Sequence, residues 1–150
     1  MIVKIPIKPH LLNYLRTRYR FNDHYRWNSR EWLSKIILLL LYRKNDSRKI
    51  TPFFEKNLEE GYTFLPVDVS KSTAIRKIGF IIPYERRFFI NDIIESQFRE
   101  ELFRTMIRAS DARKAMEEFL KNYRIDEEMI NFDSLYRDYI RRKSKFKKAK

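Results

Sequence analysis

The chain has 150 residues, of which 43% are hydrophobic and 15% aromatic, enough for a packed core and too many for a disordered segment. It contains no cysteine, which excludes a disulfide scaffold, a thiolate nucleophile and a cysteine-ligated zinc site. The net charge is +13, and its excess lies at the two ends: residues 1–30 hold seven basic groups and one acid, residues 141–150 hold seven basic groups and no acid, and residues 31–140 hold nineteen of each. Clusters of one sign repel, so this segregation points to a polyanionic partner; the alternative is a solvated tail with a chance excess at the other end.

The start, MIVKIPIKPHLL, has no long apolar run and no small-residue cleavage site, and so does not read as a secretory signal. Val3–Lys8 alternates apolar and polar residues, with Val3, Ile5 and Ile7 on one face. That is a strand with one buried side, and Pro6 marks it as an edge. Pro9 suits the first position of a helix whose buried stripe is Leu11, Leu12, Leu15 and Tyr19. Arg16, Arg18 and Arg20 then fan around the helix end, opposite the negative end of its dipole. They open a stretch, RTRYRFNDHYRWNSREW over Arg16–Trp32, in which arginines alternate with rings. Tyr19, Trp27 and Trp32 read as core or core-edge residues, and Arg16, Arg18, Arg20, Arg26 and Arg30 as a clamp for a phosphate backbone. Exposed rings here would instead stack the bases of a single strand.

Asn28 and Glu31 have capping-box spacing and predict a helix over Ser29–Tyr42. Its apolar run is Ile36–Leu41, far short of the roughly 20 residues needed to cross a bilayer. This helix is apolar almost all round and should be the central core helix, closed by Arg43 and Lys44. Thr51-Pro52 predicts a short third helix ended by Gly61. Thr63–Val69 repeats the apolar–proline–apolar design, with Leu65, Val67 and Val69 on one face, and should pair with the first strand as a two-stranded ribbon. Ser70 predicts a cap for a helix running to Ile78, with Gly79 as its left-handed end. Pro83 or Asn91 starts a long helix to about Arg108, with Ile94, Phe98, Leu102 and Met106 at every fourth position and Phe103 and Ile107 beside them.

Ser110 or Asp111 caps a helix over Ala112–Tyr123, with Met116, Phe119, Leu120 and Tyr123 inside. A turn over Arg124–Asn131 follows, then a helix from about Asp133. Phe132, Leu135, Tyr136, Tyr139 and Ile140 fall on one face, while Ser134, Arg137, Asp138, Arg141, Arg142 and Lys145 fall on the other. Two amphipathic helices, a turn and a basic outer face make the plan of a helix-turn-helix DNA reader. Arginine suits that task because its planar fork pairs with guanine edges and phosphates. The turn exceeds the usual 3–4 residues, and Arg124 stands where glycine is common. The segment AMEEFLKNYRIDEEMINFDSLYRDYIRRK, Ala115–Lys143, resembles small basic helix-turn-helix proteins of phages and mobile genetic elements, over about a fifth of the chain. The resemblance implies DNA binding in regulation, replication or recombination.

Nothing in the composition suggests catalysis. His10 and His24 are the only histidines and do not stand at metal-ligand spacing. Pro66-Val-Asp68-Val-Ser-Lys71 is similar to the acidic strand of metal-dependent nucleases, but the acidic-x-Lys triplet those enzymes need does not follow. Gly61 and Gly79 are the only glycines, so no glycine-rich loop is available for a nucleotide. The acidic pairs Glu59-Glu60 and Glu100-Glu101 suit helix ends or surfaces, and Asp126-Glu127-Glu128 suits a helix N-terminus.

The expected fold is α+β and mainly helical, a single domain in which a two-stranded edge ribbon packs on a helical core over 1–110 and a helix-turn-helix-like unit with a basic tail occupies 111–150. The expected function is non-enzymatic DNA binding in the cytoplasm, or in a virion if phage-encoded. No catalytic residue, metal, cofactor or membrane is expected. The DNA contacts expected are Arg16, Arg18, Arg20, Arg26, Arg30, Ser134, Arg137, Arg141, Arg142, Lys143, Lys145, Lys147 and Lys148. Duplex DNA is the expected partner, with a homo-oligomer or a protein partner left open. The alternatives are a structural, virion or adaptor protein that binds an acidic partner, and an RNA or single-strand binder.

Overall fold

The computed structural model describes residues 1–41 and 50–149. It is α+β and mainly helical, with six helices and one three-stranded sheet among the described residues. The chain divides into two units, Met1–Ile94 and Glu95–Lys150.

In the first unit, β1 (Ile2–Ile7) and β3 (Thr63–Asp68) pair antiparallel with Ile5 opposite Leu65. The alternation sets the faces as expected: Val3, Ile5, Ile7, Leu65 and Val67 are all buried. The ribbon is not two-stranded, however. β2 (Tyr25–Arg26), inside the arginine-rich stretch, lies parallel to β3 and makes the strand order β1-β3-β2. β3 is therefore central despite Pro66. The β2 ladder uses only Val67 and Asp68, beyond the proline, and Trp27 N donates to Asp68 O at 3.0 Å to extend it.

α1 (Pro9–Tyr19) starts with Pro9 in its first turn and buries His10, Leu11, Leu12, Tyr14 and Leu15. Arg20 ends it in the left-handed conformation at φ 53°, with Phe21 N donating back to Arg16 O at 3.1 Å. α2 (Trp32–Leu40) begins later than the capping-box spacing implied. Asn28 and Glu31 do meet, but side chain to side chain (3.3 Å), while Ser34 Oγ accepts from Asn28 N. Nor is α2 buried all round. Leu33, Ile36, Ile37 and Leu40 face inward, whereas Leu38 is 44% and Leu39 62% exposed, and Trp32 is exposed as well. The closing residues expected at Tyr42, Arg43 and Lys44 lie outside the described residues.

The helix expected from Thr51 to Gly61 is a single 3-10 turn at Glu55–Asn57. Backbone groups that a helix would need are paired elsewhere: Phe53 N donates to Ile82 O, and Tyr84 N to Thr51 O. α3 (Thr73–Ile78) is capped by Ser72, whose Oγ accepts from Ile75 N, while Ser70 N donates to Asp68 Oδ1. Gly79, at φ 72°, ends α3 as expected. Asn91, buried at the start of α4 (Phe89–Arg108), accepts from Lys8 N at 2.9 Å.

The second unit contains the rest of α4 with α5 (Ala112–Asn122) and α6 (Phe132–Lys148). Its interior is Phe98, Leu102, Phe103, Met106, Met116, Phe119, Leu120, Ile125, Leu135 and Tyr139. Rings meet across helices, Phe98 against Phe119 at 5.9 Å and Phe103 against Tyr139 at 5.8 Å. Three ion pairs tie the helix surfaces: Arg99–Asp138 and Arg113–Asp133, both at 2.9 Å, and Glu100–Arg142. No helix among the described residues is long and apolar enough to cross a membrane.

Candidate nucleic-acid interface

The turn ahead of α6 is built by local chemistry. Asp111 caps α5 by accepting from Lys114 N. At the far end Arg124 N donates to Lys121 O and Ile125 N to Leu120 O, with Arg124 left-handed at φ 57°. This pair of bonds is the Schellman arrangement, in which glycine usually holds the left-handed position and an apolar residue follows it. Arg124 takes the glycine's place, and buried Ile125 supplies the apolar contact. Asp126 does not lie at a helix N-terminus; its Oδ1 accepts from Glu128 N and Met129 N within the turn. Asn131 then caps α6, accepting from Ser134 N at 2.8 Å.

α6 is two-sided. Leu135 and Tyr139 are buried, Phe132, Tyr136 and Lys143 are half-buried beside them, and Ile140, expected in the apolar stripe, is largely exposed at its margin. Arg142 belongs to the packed side: it pairs with Glu100 and lies 4.1 Å from the centre of the Phe103 ring. This pairing holds the Glu100 carboxyl below the usual range, chiefly through the hydrogen bond from Arg142. Lys143 sits over the Tyr139 ring. The solvent side carries Ser134, Arg137, Arg141, Lys145 and Lys148, all exposed. Arg137 Nε donates to Asp133 O one turn back, and Arg141 stands 3.7 Å from Asp138. Among the described residues Lys145, Lys147 and Lys148 form no ion pair, and they also complement the dipole at the helix end.

The arginines of the first unit do not form one row. Arg16 is half-buried, and its Nε is buried without a hydrogen-bond partner among the described residues. Arg18 lies against Tyr14, with its guanidinium 3.4 Å from the hydroxyl. Arg30 is exposed on the approach to α2. Only Arg20 and Arg26 line a common groove of about 750 Å³, formed by residues between Tyr19 and Glu31 together with Lys71. The aromatic residues of this loop mostly build it. Tyr25 is buried, flanked edge-on by Tyr19 and Phe21, and its hydroxyl donates to Glu31 at 2.6 Å and bridges to Ser34 at 2.9 Å. Burial, then the bond to Glu31, pushes the Tyr25 phenol well above its usual value. Trp27 is buried too.

Sequence reasoning missed Lys71 as part of this site. It noted the residue only within Pro66–Lys71, and the signal that could have found it is its place in the turn directly after β3, beside β2. A smaller cavity of about 190 Å³ joins His24, Arg26, Trp27, Asp68 and Lys71. The Asp68 carboxyl there is held low, first by the backbone hydrogen bond from Ser70. Compared with known protein families, curated proteins and solved structures, the chain matches none.

Proposed function

We propose that this is a non-enzymatic DNA-binding protein of the phage or mobile-element kind, acting in regulation, replication or recombination. The solvent face of α6 enters a groove of the duplex, and basic residues at its end and in the first unit hold phosphates. The observation that supports this reading is the division of labour on α6. Its two acids are engaged by arginines of neighbouring helices, Asp133 by Arg113 and Asp138 by Arg99. The outer row of Ser134, Arg137, Arg141, Lys145 and Lys148 is thus left with cations in excess and little local acid to offset them. An exposed basic helix face supplies both phosphate contacts and forks for base edges.

The test begins with selection of a preferred duplex from a random library. Arg137→Ala is then compared with wild type on that duplex and on random competitor. A base contact predicts a loss of about 1–3 kcal/mol on the preferred sequence and little on the competitor. Equal losses on both would reduce α6 to a backbone clamp. Absence of salt-dependent duplex binding in wild type would overturn the reading in favour of an acidic protein partner.

A further inference from the structure

We infer that the groove of the first unit is a second nucleic-acid site, one that takes the terminal phosphate and last nucleotide of an unpaired strand. Three cations reach it from three separate elements: Arg20 from the left-handed end of α1, Arg26 from β2, and Lys71 from the turn after β3. Among the described residues none of the three forms an ion pair. The acids of the lining are Glu31 and Asp23. Glu31 is committed, accepting from the Tyr25 hydroxyl and from Asn28 Nδ2. Asp23 is exposed at the loop tip, so one uncommitted acid faces three uncommitted cations. Asp68, in the adjoining cavity, accepts from Ser70 N.

The groove is held in shape by the rest of the loop. β2 is pinned to β3, Trp27 N donates to Asp68 O, and Tyr25 is wedged between two rings and bonded at its hydroxyl. A site held open in this way loses little freedom on binding. Its size favours a small group. A volume of about 750 Å³ suits a nucleotide-sized ligand, whereas a duplex is too wide to enter. A terminal phosphate has more negative charge than a phosphodiester and three acceptor oxygens, which matches two guanidinium forks and an ammonium. Half-buried Phe21 lines the wall where a base would follow, and Asn22, Asn28 and Ser29 offer neutral donors and acceptors. Ring contact of this kind binds unpaired bases without regard to sequence.

The experiment measures fluorescence anisotropy of a short single strand with and without a terminal phosphate, competed by a free mononucleotide. Wild type should prefer the phosphorylated strand by about tenfold or more, since hydrogen bonds to a charged group are the strong ones. The double variant Arg26→Gln, Lys71→Gln should abolish that preference with an unchanged urea midpoint. Both side chains are exposed, so the fold should tolerate the changes. A wild type that ignores the terminal phosphate, or a double variant that keeps the preference, overturns the inference. A free mononucleotide that competes as well as the strand does would make the groove a small-molecule site and overturn the strand assignment.

Discussion

Replacing Arg141, Lys145 and Lys148 together by glutamine removes three cations from the solvent face of α6 while leaving its packed side intact. All three are exposed. Each phosphate contact contributes about 0.9 to the slope of log affinity against log salt, so the slope should fall by about 2.7. Between 50 and 200 mM salt, that difference amounts to roughly a 40-fold change in affinity that wild type loses and the variant does not. The assay is anisotropy titration of a labelled duplex across that range, with circular dichroism to confirm that the helix persists. Arg142→Gln is the matched control, because Arg142 lies against Phe103 and Glu100. It should leave most of the slope in place and cost about 1–2 kcal/mol in stability, from a partly exposed ion pair and a cation–π contact. An unchanged slope in the triple variant, or a larger slope loss in Arg142→Gln, would refute the assignment of the outer face.

Three further outcomes follow from the packing. Leu40→Ala should cost about 2–5 kcal/mol in urea denaturation and Leu39→Ala within about 0.5, because Leu40 is fully buried and Leu39 is 62% exposed; equal effects would contradict the two-sided reading of α2. Asn131→Ala should cost about 1 kcal/mol by removing the acceptor for Ser134 N, and Asn131→Asp should restore most of it. The Glu100 carboxyl is held low by Arg142, so its contribution to stability is present above the ordinary glutamate value of about 4.3 and is lost as pH falls through its lower folded value. The melting-temperature gap between wild type and Glu100→Gln should therefore be open at neutral pH and close in acid.

Much of the architecture was legible because it depends on neighbours in sequence. Alternation alone assigned the buried faces of β1 and β3, and helical spacing alone found Phe98, Leu102 and Met106, then Met116, Phe119 and Leu120, then Leu135 and Tyr139. Asp111 as a cap, Pro9 at a helix start and Gly79 at a helix end are local stereochemistry as well. The concentration of charge at the two ends is a property of composition and needs no fold to be seen.

Tertiary structure decided what depends on distant partners. Two residues, Tyr25 and Arg26, have no periodicity to announce a strand; they become one because the edge of β3 offers unpaired backbone groups at Val67 and Asp68. The segment after Thr51 has helix signals, but Phe53 and Thr51 satisfy their backbone through Ile82 and Tyr84, far along the chain, and only one 3-10 turn remains. An apolar run such as IILLLL does not say which of its leucines will meet a neighbour, and packing left Leu38 and Leu39 in solvent. The basic residues were sorted in the same way. Arg142 reads like Arg141 in the sequence, yet one finds Glu100 and Phe103 while the other faces water, because a 100° step around a helix axis is enough to exchange a protein neighbour for solvent.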